Sequence, residues 1–228
     1  MRKAVAIAMV AVLMALWVEA LYAGEKKPLP RPTGAVTPVP TGEGWADLFD
    51  AENARLWEVD AKNLFEFQDG VMYIFGKKPT HYIRYTGDTF GDFQAHLEFK
   101  LTGKANSGLM FRAAPDDPVF QGMEIQLIDS FGENPSYYSC GALYDVASPM
   151  FNLVNKPGEW NSLDLTVQGK HIVAAVNGWS VLDVDLSRMT MPIGKFPTPL
   201  NELPVTGSVF LQDHGNEVWF RNLRVKKL

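Results

Sequence analysis

Phe93-Gln94-Ala95-His96-Leu97-Glu98-Phe99-Lys100-Leu101 alternates apolar and polar side chains without a break. That period belongs to a β-strand with one face on a core and the other turned outward, here toward solvent through Gln94, His96, Glu98 and Lys100. The same pattern recurs on both sides of it. Phe65 to Gln68 and Val71 to Phe75 flank Asp69-Gly70, which predicts a hairpin with a type I′ turn. Ser162 to Gln168, His171 to Asn177 and Trp179 to Leu186 are separated by Gly169-Lys170 and Asn177-Gly178, the spacing of a three-strand meander. Further alternating runs cover Ser107 to Arg112, Met123 to Leu127, Ser208 to Gln212 and Val218 to Val225, and no window sustains helical spacing. In the last run Val218 and Phe220 hold one parity and Leu223 and Val225 the other, so a β-bulge is expected near Arg221-Asn222. The chain therefore reads as all-β, two antiparallel sheets packed in a sandwich or jelly roll.

The N-terminus has a different grammar. Arg2 and Lys3 precede an uncharged apolar stretch from Ala4 to Val18 that Glu19 ends. It falls short of the roughly 20 apolar residues a membrane span needs and has the layout of a cleaved secretion signal over residues 1–23, with Ala20 or Ala23 at the cut. The expected location is the periplasm or outside the cell, with no stable membrane span. Residues 24–43 hold Pro28, Pro30, Pro32, Pro38 and Pro40 and few apolar side chains, which suggests an extended linker; the folded domain is expected over 44–228. Twenty-six acidic against 21 basic residues, a formal net charge of −5, argue against nucleic acid as a partner. The densest basic run, Arg221, Arg224, Lys226 and Lys227, reads as a solvated strand edge. Cys140 is the only cysteine, so no internal disulfide is possible and the core must hold the fold by itself. Its Ser-Cys-Gly-Ala setting suggests a packed, inert thiol.

Candidate chemistry gathers on a few strands. Glu124 and Gln126 share one face of their strand and Ile125 and Leu127 the other. Arg112 has the parity of Met110, and Gln212 that of Phe210 as the chain enters Asp213-His214-Gly215-Asn216. Such planar or short polar ends suit directional hydrogen bonding to a ligand better than simple solvation. His214 is a candidate base or metal ligand and His81 a weaker one, while no histidine pair has zinc-motif spacing. No Gly-x-Ser-x-Gly elbow or phosphate-binding glycine loop is present.

Taken in order, Gly44-Trp45 to Leu48-Phe49-Asp50, Gly91-Asp92-Phe93, Asn106-Ser107-Gly108 with Arg112, Glu124-x-Gln126-x-x-Asp129, Gly141-Ala142-Leu143-Tyr144, Lys156-Pro157-Gly158-Glu159-Trp160-Asn161, Asn177-Gly178, Gln212-Asp213-His214-Gly215 and Phe220-Arg221-Asn222 form a series. It resembles the 3-keto-disaccharide hydrolase family over essentially all of residues 44–228. The resemblance implies a concanavalin A-like jelly roll, similar to the laminarinase-type glucanases, with a carbohydrate ligand on the concave sheet. It also implies cleavage of 3-keto-glycosides by hydrolysis, or by elimination and hydration, with a divalent metal ion as a possible cofactor. In that scheme Glu124, Asp129 or His214 acts as base, Arg112 or a metal held by Glu124 and His214 polarises the ketone, and Asn106, Gln126, Tyr144, Gln212 and Asp213 contact the sugar. Laminarinase-type enzymes read Glu-x-Asp-x-x-Glu where this chain has Gln126 and Asp129, so the ordinary two-carboxylate mechanism is disfavoured. A lectin-like module without turnover is the competing expectation.

Overall fold

The computed structural model describes residues 32–228; the expected signal and the first part of the linker lie outside them. Thirteen strands follow one another: β1 Trp45–Asp47, β2 Trp57–Glu58, β3 Phe65–Gln68, β4 Val71–Phe75, β5 His81–Tyr85, β6 Phe93–Leu101, β7 Asn106–Ala113, β8 Met123–Ile128, β9 Trp160–Gln168, β10 His171–Val176, β11 Trp179–Asp185, β12 Ser208–Asp213 and β13 Glu217–Lys227. They form two antiparallel sheets. The larger runs β11-β10-β9-β6-β13-β4-β3, with β1 also paired to β13, and the smaller runs β2-β5-β12-β7-β8. Among the described residues no helix is long and apolar enough to cross a membrane.

The turn chemistry read from the sequence is present. Asp69 and Gly70 both have positive φ between β3 and β4, as do Asn177 and Gly178 between β10 and β11, which the two-residue hairpin turns require. The expected bulge in β13 is there too: its register against β6 shifts between Arg221 and Arg224, and Asn222 is left-handed at φ 54°. The jump restores Leu223 and Val225 to the core beside Val218 and Phe220.

One apolar layer joins the sheets. Leu97, Phe99 and Leu101 of β6 and Leu163, Leu165 and Val167 of β9 meet Ile83, Leu109, Phe111, Ile125, Leu127 and Leu211 of the smaller sheet. Full burial of each such side chain contributes about 1.5–3 kcal/mol. Cys140 is part of this layer, and burial pushes its thiol up to about 12, in line with the expected inert packing.

The outward face of β6 corrects the opening expectation. His96 and Glu98 are buried rather than solvated. His96 Nδ1 lies 2.7 Å from Asp164, whose other oxygen accepts the Thr37 hydroxyl at 2.7 Å. Thr37 belongs to the proline-rich segment, and from Thr33 onward that segment is part of the folded unit. Three backbone or side-chain bonds, from Ala35 N–H to Asn177 and from Thr37 to Ser162, hold it there. Glu98 accepts from Arg221 at 2.7 and 2.6 Å and from Asn222 at 2.8 Å. The basic run is likewise not an edge: β13 is interior to its sheet, and Arg221, Arg224 and Lys227 pair with Glu98, Asp47 and Asp88.

Among the described residues Arg112 is the largest side chain that is fully buried, at 1% exposure. Its backbone is left-handed at φ 50°, next to a register shift of β12 between Ser208 and Phe210, so the simple parity with Met110 is lost. The guanidinium donates to the Gly91 carbonyl at 2.9 Å, the Gly169 carbonyl at 2.6 Å and the Asp92 carboxylate at 2.9 Å, tying β7 to the β9-β10 turn. Arg112→Met should lower unfolding free energy by about 3 kcal/mol, because it leaves those acceptors without their charged donor. A urea unfolding midpoint measures it, and an unchanged midpoint would remove this anchoring role.

Candidate functional site

Because the core takes every second residue of the smaller sheet, the alternate residues share its other face. In register, Arg84 of β5 lies opposite Phe210 of β12, Phe210 opposite Met110 of β7, and Met110 opposite Glu124 of β8. One step along, Tyr82 lies opposite Gln212, and Gly108 opposite Gln126. Met110, Phe210 and Ala113 form a small apolar cluster on this face, with Tyr82 packed against it. Glu124, Gln126 and Gln212 stand beside that cluster and line a cleft of about 140 Å³ together with Asn106, Tyr144 and His214. The convergence expected from strand parity is thus observed for Glu124, Gln126 and Gln212 but not for Arg112, and Asn106, Tyr144 and His214, which parity did not group with them, line the same cleft.

Three local devices build the cleft. Gly108 leaves room for the Glu124 carboxyl, which lies where a β-carbon at 108 would stand. The segment after β8 folds back on that strand: Gly141 N–H donates to Gln126 O, and Tyr144 N–H donates to Glu124 O at 2.9 Å. This covers an edge strand and brings the Tyr144 ring to the cleft. A loop from the far end of the chain supplies Lys195, whose neighbour Phe196 is buried in the core and whose neighbour Gly194, at φ +57°, packs directly on Asp145.

Lys195 was not singled out in the sequence, and it is the cleft's one ammonium among the described residues. Its Nζ stands 3.6 Å from Glu124 Oε2 and over the Tyr144 ring at 4.9 Å from the centroid. Burial pushes the Glu124 carboxyl up to about 6 against the opposing pull of Lys195. Burial lowers the Lys195 pKa, and Glu124 resists that shift. Tyr82 and Tyr144 are both raised, first by burial and then by the Glu124 charge.

Buried polar atoms normally have partners, yet here they do not. Glu124 Oε1, Gln126 Oε1, Gln212 Oε1, Asn106 Oδ1 and Lys195 Nζ are all shielded from solvent without a hydrogen bond. Each such atom costs about 1–3 kcal/mol. Five of them aimed into one cleft is the arrangement of a site that a polar ligand completes.

The remaining candidates lie elsewhere. Arg112 serves the anchor described above. Asp129 accepts the backbone N–H groups of Lys104 and Phe131, so it shapes a loop; its side chain turns away from Glu124, as strand alternation implies. Asp213 accepts from Lys77 and Gly215 N–H and holds the turn that presents His214, with burial raising its pKa. His81 borders a neighbouring cavity.

A divalent metal does not fit this donor set. Among the described residues no three His, Cys, Asp or Glu side chains gather, and the only carboxylate lining the cleft already faces an ammonium. Hard cations favour several oxygen ligands, carboxylates foremost.

The protein is a two-sheet jelly roll with a polar cleft on its smaller sheet. It belongs to the family of the 3-keto-alpha-glucoside-1,2-lyase-like domain, whose pattern matches residues 44–226. A 3-keto-disaccharide hydrolase of Bacteroides thetaiotaomicron is 26% identical over 173 residues, a match that takes in 61% of this chain and 59% of that protein. The chain thus spans less than two thirds of that relative's length. A crystal structure from Parabacteroides distasonis, described as a glycosyl hydrolase, is 30% identical and superposes with a TM-score of 0.71 over 81% of this chain and 99% of its own. A Bacillus subtilis protein of galectin-like fold, 12% identical, covers 87% of this chain and 98% of its own with a TM-score of 0.56, a likeness of fold.

Lys195→Met should move the Glu124 titration midpoint upward from about 6, since the ammonium favours the ionised carboxylate. Carboxyl-carbon NMR reads it, and a midpoint that stays or falls would show that the two groups are not coupled. Gly108→Ala should displace Glu124 and cost about 1–3 kcal/mol by overpacking, read as a lower unfolding midpoint.

Proposed function

We propose that this protein is an exported enzyme that cleaves the glycosidic bond of 3-keto-glycosides, with Glu124 as base and Lys195 as the cation that receives the developing enolate charge. The reading rests on the Glu124–Lys195 pair at 3.6 Å in a cleft whose buried polar atoms await partners. A ketone at C3 acidifies the proton on C2. The Glu124 carboxylate takes that proton, and the electron pair passes into the enolate, whose oxygen the Lys195 ammonium stabilises. The enolate collapses to a C1–C2 double bond and expels the C1 substituent, which takes a proton from His214 or Tyr144. Water then adds across the double bond and yields the free 3-keto-sugar, so the sum is hydrolysis.

Family membership and the name of the Bacteroides relative support this choice. The single carboxylate of the cleft supports it as well, since an ordinary glycosidase needs two and Asp129 is engaged elsewhere. A carboxylate at about 6 is a stronger base than an ordinary one while still mostly ionised at neutral pH. The paired base and ammonium favour turnover over the lectin-like alternative. Export rests on residues 1–23 and is tested by fractionating cells that express the full chain.

Incubation with 3-keto-glucosides and their parent glucosides, with and without chelator, should release aglycone from the keto-sugars only, and chelator should not stop it. Glu124→Gln should reduce kcat by about 10²–10⁴. The rate should fall as pH drops through about 6, because the base is then protonated. Sugar binding without release from any keto-sugar would leave the lectin-like module standing in place of the enzyme.

A further inference from the structure

Lysine amines in this protein are mostly held by an acceptor or turned to solvent, and Lys195 is neither. Its side chain is only 10% exposed, and its Nζ is shielded from solvent without a hydrogen bond. By contrast, Lys170 donates to the Leu203 carbonyl at 2.9 Å, and Lys227 meets Asp88 at 2.6 Å. Around the Lys195 Nζ stand the Tyr144 and Phe196 rings, with centroids at 4.9 and 5.4 Å, and Glu124 Oε2 at 3.6 Å. Burial draws the Lys195 pKa down and pushes that of Glu124 up. The cleft thereby lowers the cost of passing one proton from ammonium to carboxylate, which leaves a neutral amine beside a carboxylic acid.

The unpartnered atoms of the cleft also sort the groups of a sugar. Glu124 Oε1, Gln126 Oε1, Gln212 Oε1 and Asn106 Oδ1 are oxygens, and hydroxyl groups can donate to them. A carbonyl has no proton to give. Of the five orphaned atoms it is complemented by the fifth, the Lys195 Nζ. A desolvated lysine nitrogen that faces a carbonyl, with a proton carrier next to it, is the arrangement of an imine-forming nucleophile.

We propose that Lys195 condenses with the C3 ketone of the substrate and carries it through cleavage as a ketimine. The proposal rests on the cleavage reading for the identity of the carbonyl, and it turns the charge contact of Lys195 into a covalent bond. Glu124 takes one proton from the ammonium, and the freed nitrogen pair adds to C3 as the carbonyl π pair moves onto oxygen. A proton passes from nitrogen to that oxygen and leaves a neutral carbinolamine. The Glu124 acid protonates the new hydroxyl, which departs as water while the nitrogen pair closes the iminium bond. Glu124, a carboxylate again, takes the C2 proton; the C–H pair forms C2=C3, and the iminium π pair settles on nitrogen as an enamine. The nitrogen pair then re-forms the iminium, the C2=C3 pair shifts to C1=C2, and the C1–O pair leaves with the C1 substituent. One water adds across C1=C2 and a second hydrolyses the iminium, which returns Lys195 as its ammonium. One water is released and two are consumed, so the sum is the same hydrolysis.

The test incubates the wild-type protein with methyl 3-keto-glucoside and sodium cyanoborohydride, which reduces iminium ions in preference to ketones. Peptide mass spectrometry should find Lys195 heavier by the mass of the sugar less one oxygen atom, with the exposed Lys104 and Lys156 unmodified. Methyl glucoside, which has no ketone, should leave no adduct. Lys195→Arg keeps the positive charge but forms no imine, so it should show no adduct at position 195 and lose most of its turnover. A reduced adduct on Lys195 supports the proposal whether or not the glycosidic bond is cleaved. Turnover without that adduct, labelling spread evenly over exposed lysines, or Lys195→Arg turning over at the wild-type rate overturns the proposal and leaves the cleavage reading in place. Absence of both adduct and turnover overturns the two together.

Discussion

The two-residue repeat of the smaller sheet governs everything the site can be. Leu109, Phe111, Ile125, Leu127 and Leu211 close the apolar layer against the larger sheet, so Gly108, Met110, Glu124, Gln126, Phe210 and Gln212 have only the opposite face available. A one-residue slip would exchange the two sets, placing carboxylate and amides in the core. The energy that joins the sheets therefore also fixes the register of the cleft.

Two buried glutamates show how the same fold treats structure and chemistry differently. Glu98 is held by Arg221 and Asn222 on the outside of the larger sheet, and its role is to bind neighbouring segments across the β13 bulge. Glu124 is as deeply buried, yet one oxygen has no partner and the other has only an ammonium beyond ordinary hydrogen-bond length. Desolvation then dominates its behaviour. A fully paired carboxylate stabilises a sandwich; an incompletely paired one keeps proton-transfer capacity, and the core has to offset its cost.

Legibility in the sequence followed the range of the interaction. Turns were readable because Asp69-Gly70, Gly169-Lys170 and Asn177-Gly178 decide them locally. The β13 bulge was readable because a parity change leaves a trace in the apolar pattern. Strands β1, β2 and β5 were not, since their few residues carry too short an alternation and owe their pairing to partners distant in the chain. His96 was misread for a related reason: its face looks solvated until Thr37 and Asp164 close over it. Lys195 left no trace beyond a lysine in a loop, because its place depends on Phe196 entering the core and Gly194 settling on Asp145.

The sequence by itself determined the class of fold, the two faces of β8 and the family, all of which rest on local periodicity and ordered motifs. Only the tertiary structure decided which polar residues meet. It removed Arg112 and Asp129 from the cleft and brought Lys195 to Glu124, turning a lone acid into an acid–ammonium pair. The physical reason is that strand alternation specifies direction within an element. Burial, left-handed backbone positions and long-range loop packing specify which elements stand together, and these are properties of the folded whole.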